Sequence, residues 1–288
     1  MSVATWTPSP PVDLARWGLR FTRWGDDPCT VVHDGAVHRE AAGVWWSATQ
    51  HGDTIELTTD GDTEAAMADL RTRLGDHLQW EPVAELAARD DRVAALVARH
   101  PGYRVPITPD PFEAIITAVS AQQVNLRWAL VTRRRLVEAF GEVRHLGGVP
   151  VWAFPRPERV AMADPTVLRG FQFTNAKART IVGVAQAASD GYFDGLQELS
   201  NADAVAHLSA LKGIGRWTAE QVLARCLGRP DAVAAGDLGV RKAVSFNWFD
   251  ADELLDETTV RDTAETWGDA ANWVTHLLLE DLATSGGA

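Results

Sequence analysis

The sequence predicts an α+β protein, and two patterns predict it. Short runs rich in β-branched and aromatic residues, separated by Gly-Asp turns, fill the first 84 residues. From Pro82 onward the apolar residues recur at helical spacing almost without interruption. At 288 residues with 46% apolar content, the chain is long enough for two cores. The expected division is an accessory antiparallel sheet with one helix over residues 1–84 and an all-helical body over residues 85–288.

The strand runs are L-R-F-T-R-W from Leu19, C-T-V-V-H from Cys29, H-R-E-A from His38, V-W-W-S-A-T from Val44 and T-I-E-L-T-T from Thr54. Their tryptophans read as core residues rather than as a stacking surface. Thr63 to Gly75 reads as the helix that accompanies this sheet. Beyond it, helices are expected near 83–99, 110–122, 125–140, 174–189, 202–210, 216–227, 238–247 and 269–283.

The segment from Leu211 to Val244 carries the chemistry. It contains L-K-G-I-G-R-W-T-A and then G-D-L-G-V-R-K-A-V, with a single acid, Asp237, in the second block. Ser200 or Asn201 can cap a helix that ends near Ala210, and Ala219, Val222, Leu223, Cys226 and Leu227 form the apolar stripe of a second helix. Gly213 and Gly215 let the chain reverse between them with backbone N–H groups outward, and the following helix start adds its positive end. Such a unit suits a phosphate. Asp237 precedes another helix, where it reads equally as an N-cap and as an oriented carboxylate; the two roles are compatible.

These blocks resemble the helix-hairpin-helix (HhH-GPD) superfamily of DNA glycosylases, and within it the bacterial 3-methyladenine DNA glycosylase II group. Two more stretches share the resemblance: P-G-Y-R-V-P-x5-F-E-A-I-I-T-A-V-S-A-Q-Q-V from Pro101 to Val124, and F-P-R-P-E-R-V-A-M-A-D-P from Phe154 to Pro165. It spans most of residues 85–288 and fades over residues 1–84. The implied activity is hydrolysis of the N-glycosidic bond of alkylated purines in duplex DNA. Alternatives are a non-catalytic module that binds damaged DNA, or a glycosylase for deaminated or oxidised bases.

The resemblance also implies roles for particular residues. Asp237 would stabilise oxocarbenium character at the sugar or orient the attacking water. Gly213, Gly215, Arg216 and Thr218 would hold the DNA backbone. Gln122 and Gln123 occupy the loop that fills the gap left by an extruded nucleotide, although the group places an apolar residue where Gln123 stands. Trp217, Gln221 and Leu279 match the pocket positions, and the last two replace aromatic residues. Trp217 reads either as a pocket wall for a cationic base or as a core residue. It stands where the bifunctional branch carries a Schiff-base lysine, so no lyase activity is expected. The backbone carbonyls of Ser209, Leu211 and Ile214 match a site for Na⁺ or K⁺.

Composition bounds the partners. The net charge is -12, yet Lys212, Arg216, Arg225, Arg229, Arg241 and Lys242 crowd the hairpin region, and Arg133, Arg134 and Arg135 form a second basic run. A neutral or basic face on an acidic body is expected, with weak non-specific affinity for DNA. The two cysteines, Cys29 and Cys226, are too few for an iron–sulfur cluster. No required cofactor, membrane span or signal peptide is indicated, and a monomer in the cytoplasm is expected. The eight histidines lack metal-ligand spacing, and His276 reads as a packing or surface residue.

Overall fold

A computed structural model describes residues 1–285. Strands β1 (Ser2–Trp6), β2 (Thr30–His33), β3 (Ala36–Ala41), β4 (Val44–His51) and β5 (Thr54–Thr59) form one antiparallel sheet in the order β1-β5-β4-β3-β2. Alternation sets which face is buried: Ile55, Leu57 and Thr59 point inward on β5, opposite Trp46 and Ala48 of β4. The turns between β2, β3, β4 and β5 carry positive φ at Asp34, Gly35, Ala42, Gly43 and Gly52, the backbone that tight hairpins need.

The expected strand from Leu19 to Trp24 is absent. Helix α1 (Leu14–Leu19) and a turn take its place, because Asp13 caps the Arg16 N–H and Leu14 and Trp17 are buried against the sheet. Helix α2 (Thr63–Arg73), capped by Asp62, closes the same core with Ala66 and Leu70. Trp45 and Trp46 are both buried, as the core reading requires, although they point to opposite faces.

The remaining helices are α3 (Glu81–Ala87), α4 (Asp91–Arg99), α5 (Pro111–Ala121), α6 (Leu126–Phe140), α7 (Pro157–Ala161), α8 (Pro165–Gly170), α9 (Asn175–Ser189), α10 (Asn201–Ser209), α11 (Arg216–Arg225), α12 (Leu238–Lys242), α13 (Glu257–Glu265) and α14 (Ala271–Thr284). None is long and apolar enough to cross a membrane. The single helix expected over 83–99 is two, because Asp90 caps a fresh start at the Arg92 N–H. The helix expected over 238–247 leaves the α form at Lys242 and continues as a π-turn to Trp248.

The expectation of an all-helical body also needs correction. Strands β6 (Val143–Leu146) and β7 (Val149–Trp152) form a hairpin between α6 and α7. Gly147 and Gly148 both have positive φ, so V-R-H-L-G-G-V-P-V-W folds as a two-residue hairpin should. The hairpin docks on the N-terminal sheet through Trp152 N–H to the Pro28 carbonyl. Arg144 lies over the Trp45 ring, 5.1 Å from its centroid, and covers the outer face of β4.

The helices enclose two apolar cores. Ile115, Ile116, Val119, Ile181, Leu208 and Leu223 lie in one, beneath α5, α9, α10 and α11. Val93, Leu96, Trp248, Trp267, Trp273 and Leu278 lie in the other, beneath α4 and α14. Asn272 stitches the two together, donating from Nδ2 to the carbonyls of Ala224 and Arg229 at 2.9 and 2.8 Å. The hairpin before α11 therefore belongs to one core and Asp237, at the start of α12, to the other. Their seam is where the candidate site forms.

Asp281 ties α14 to α4. It accepts from Arg99 Nε at 2.8 Å, His100 Nε2 at 2.9 Å and Asn247 Nδ2 at 2.9 Å. Burial alone would raise this carboxyl, but the hydrogen bonds from Arg99, Asn247 and His100 more than offset it and hold the group at about 2. Because the folded value lies below the unfolded one, the tether contributes fully above about pH 4 and is lost as pH falls through about 2. Asp281→Asn is expected to lower Tm near neutral pH, with the gap to wild type narrowing as melts are repeated in increasingly acid buffer. A gap that stayed constant would show that the charge is not what Asp281 contributes.

Candidate active site

The hairpin closes on itself before α11 begins. Ile214 is buried and donates its N–H to the Leu211 carbonyl at 3.0 Å. Gly213 has φ +88°, and a Cβ there would lie 2.0 Å from Thr180 Oγ1 on α9, so the turn is seated directly on that helix. Gly215 is the N-cap of α11 and supplies no side-chain cap, which leaves the first N–H groups of the helix to the outside. Lys212, Gly215 and Arg216 are exposed around them. Arg216 is partly committed, since its Nε donates to Glu220 at 2.8 Å, and Glu220 is also held by Arg261 at 2.9 Å.

Asp237 stands where the second core meets this helix. Its Oδ1 caps α12 by accepting the Val240 N–H at 3.1 Å. Its Oδ2 accepts Trp217 Nε1 at 2.8 Å and Gln221 Nε2 at 3.2 Å, both from the same face of α11. The cap and the oriented carboxylate coexist. Trp217 thus points its indole N–H at the carboxylate, a role the sequence did not suggest. A carboxylate offers about four acceptor positions, and three are filled by the protein. One remains for a ligand.

Leu279 lies on the far side of Asp237. A Cβ built on Gly239 would meet Asp237 Oδ1 at 3.0 Å and Leu279 Cδ2 at 3.4 Å, so this glycine lets α12, the acid and α14 approach. A cleft next to the acid is lined by Gln221 and Arg225 of α11, Val240 of α12, and Thr275, His276 and Leu279 of α14. Gln221 and Leu279 come together as expected. His276 is buried beneath them, so of its two readings the surface one does not hold.

The loop after α5 is pinned to the hairpin. Gln122 Nε2 donates to the Gly213 carbonyl at 3.3 Å and to Thr218 Oγ1 at 3.1 Å. Thr218 is only 1% exposed, which corrects its assignment as a DNA contact: it holds Gln122 instead. Gln123 is exposed with φ +54°, a left-handed backbone uncommon for a residue with a side chain. Val124, Leu126 and Trp128 are exposed beside it, with Leu126 at 50%. These apolar neighbours were not singled out from the sequence, although large apolar residues gathered beside an exposed loop are a recognisable signal of a contact surface.

A family model described as HhH-GPD superfamily base excision DNA repair protein matches residues 116–268, which include the loop, the hairpin and Asp237. The chain belongs to this superfamily. Among curated relatives, a protein of Bacillus subtilis named DNA-3-methyladenine glycosylase is 36% identical over 57% of this chain and 55% of its own length. One of Mycobacterium tuberculosis named probable bifunctional transcriptional activator/DNA repair enzyme AlkA is 34% identical over 75% of this chain and 45% of its own. The chain thus spans about half the length of these relatives. A solved structure of a 3-methyladenine DNA glycosylase from Archaeoglobus fulgidus matches over 98% of both chains, with a TM-score of 0.85 and 27% identity.

The exposed loop at Gln123 is the first part to probe. A non-glycine residue in the left-handed region costs about 1 kcal/mol that glycine does not. Gln123→Gly is therefore expected to leave the melting temperature unchanged or higher, while weakening binding to a duplex with an abasic site severalfold. Equal binding by the variant and the wild type would remove Gln123 from the interface.

Proposed function

We propose that this protein hydrolyses the N-glycosidic bond of alkylated purines of the 3-methyladenine and 7-methylguanine type in double-stranded DNA, acting in base excision repair as a monomeric intracellular enzyme. The observation that carries the reading is the Asp237 carboxylate, which caps α12 at Val240 and is fixed by Trp217 and Gln221 from the helix that the hairpin begins, with one acceptor position open. Relatives support it by name, and a Schizosaccharomyces pombe neighbour described as 3-methyladenine DNA glycosylase in complex with abasic DNA shares the fold at a TM-score of 0.59 and 25% identity.

In this reading the exposed N–H groups at Gly215 and Arg216 hold a phosphate, and the loop at Gln122 and Gln123 fills the gap left by the extruded nucleotide. Alkylation at N3 or N7 leaves a cationic purine that departs without a general acid. Asp237 then needs only to stabilise positive charge at C1′ or to orient a water. Trp217 and Gln221 keep the carboxylate facing that carbon. With an indole at position 217, no amine forms a Schiff base there and the strand is left intact. Residues 1–84 serve as an accessory domain to a catalytic body over residues 85–288, and no iron–sulfur cluster takes part.

The hairpin also fits an alkali cation. The carbonyls of Ser209 and Ile214 receive no hydrogen bond from the described residues, and that of Leu211 receives one, from Ile214. Lone pairs remain on all three, and these carbonyls are the residues that would hold Na⁺ or K⁺. Such an ion would stiffen the turn.

The test is a lesion panel. Duplexes containing 3-methyladenine, 7-methylguanine, hypoxanthine or 8-oxoguanine are incubated with the protein, and free base and strand nicks are measured. Alkylpurine release without nicks is expected. Binding without release would favour a damage-recognition module, and nicking by the pure protein would overturn the monofunctional assignment.

A further inference from the structure

The cleft beside Asp237 has a polar floor that the catalytic reading leaves unused. His276 and Thr275 are each 3% exposed and both line the cleft, yet His276 Nε2 and Thr275 Oγ1 have no hydrogen-bond partner among the described residues. Buried polar atoms without partners are rare in folded proteins, and a pair of them on one cleft calls for a water or a ligand to meet them. His276 lies one helical turn from Leu279, and Arg225 one turn from Gln221, so both sit one turn beyond the rim residues that touch or border Asp237.

The tautomer follows from the partner of the other ring nitrogen. Nδ1 is 2.9 Å from the Asn272 carbonyl, which can only accept, so Nδ1 carries the hydrogen. Burial first, then the Arg225 and Arg20 guanidiniums, push the ring well below the ordinary imidazole range and keep it neutral. Nε2 is then a bare, buried lone pair on a residue that lines the cleft together with Gln221, Arg225, Val240, Thr275 and Leu279.

We propose that His276 Nε2 is the acceptor that reads position 6 of the extruded purine, favouring an amino group there over a carbonyl. The identity of the entering ring rests on the glycosylase reading above. An adenine-type lesion presents N6–H to this lone pair. A guanine-type lesion presents O6, and two acceptors face each other. The cleft, at about 10 Å³, admits a water rather than a purine, so Leu279 must swing aside as the base enters while Gln221 stays on Asp237.

The experiment compares 3-methyladenine with 3-methylguanine, which carry the same N3 methyl group and present an amino group and a carbonyl at position 6; guanine also carries a 2-amino group and an N1–H, so the readout is the change in their ratio between wild type and variants. Release of both from methylated duplex DNA is measured by chromatography, and binding of each free base is measured by calorimetry. His276→Phe keeps an aromatic ring, somewhat larger than imidazole, and removes both nitrogens, whereas His276→Gln keeps an acceptor. The ratio of 3-methyladenine to 3-methylguanine release is expected to fall about tenfold in H276F and to recover in H276Q, with a matching loss of free 3-methyladenine affinity. An unchanged ratio, or a parallel fall for both bases, would reduce His276 to a packing residue and overturn the proposal. If the wild type releases neither base, the glycosylase reading fails on its own. The free-base arm then decides: weaker 3-methyladenine binding in H276F sustains the acceptor role, and unchanged or absent binding ends it.

Discussion

Asp237→Asn is expected to lower the rate of alkylpurine release by about 10²–10³-fold while duplex affinity stays within a few-fold of wild type. Two effects act together. The negative charge that would stabilise C1′ disappears, although the side chain keeps its size. The amide must also present NH₂ to one side, and both sides are occupied by donors: Val240 N–H at Oδ1, Trp217 Nε1 and Gln221 Nε2 at Oδ2. Either orientation sets a donor against a donor, so the group also loses its aim. Single-turnover release and binding to an abasic duplex separate the two consequences. A variant that released base at the wild-type rate would leave Asp237 as an N-cap alone. Trp217→Phe offers a graded control, because it removes one of the three donors and keeps the charge. Its release rate should fall between those of wild type and Asp237→Asn, about tenfold below wild type for one hydrogen bond lost.

What the sequence made legible was whatever a few neighbouring residues decide. Ser200 caps the helix before the hairpin as expected, and α2, α6, α9 and α10 begin within about a residue of the positions that helical spacing gave them. The hairpin glycines and the acid at 237 were visible for the same reason. The strand expected from Leu19 failed because burial of Trp17 against the sheet overrides the β preference of that aromatic run. The β6–β7 hairpin carried a Gly-Gly turn between β-branched residues, but its position between two long helical patterns concealed it. Side-chain partners across elements were the least readable. That Trp217 and Gln221 would aim at Asp237 depends on how α11 crosses α12, which no local spacing records. Thr218 has a similar history: its place in the hairpin motif suggested a DNA contact, and only the packing of α5 beside α11 shows it holding Gln122.

The two glycines of the hairpin are expected to respond oppositely. At Gly213 a methyl group would lie 2.0 Å from Thr180 Oγ1, on a backbone with φ +88°. Left-handed strain alone costs about 1–2 kcal/mol and the overlap adds a comparable amount, so Gly213→Ala should lose about 3 kcal/mol and roughly 5–10 °C in Tm. Thr180→Ala in the same chain should restore only part of that loss, because it relieves the overlap and leaves the φ unchanged. Gly215 is different. Its φ is -100° and no atom lies within 4 Å of a Cβ built there, so nothing inside the protein requires glycine. Gly215→Ala should therefore melt at or slightly above the wild-type temperature, since alanine narrows the unfolded ensemble. A methyl group in that open space would nonetheless stand in front of the first N–H groups of α11 and hold a phosphate away from them. Duplex affinity should fall by about tenfold or more, with a shallower dependence on salt as one phosphate contact is lost. A stable Gly215→Ala variant with wild-type affinity would show that the DNA backbone does not approach this turn, and the phosphate site would have to be sought elsewhere on the surface.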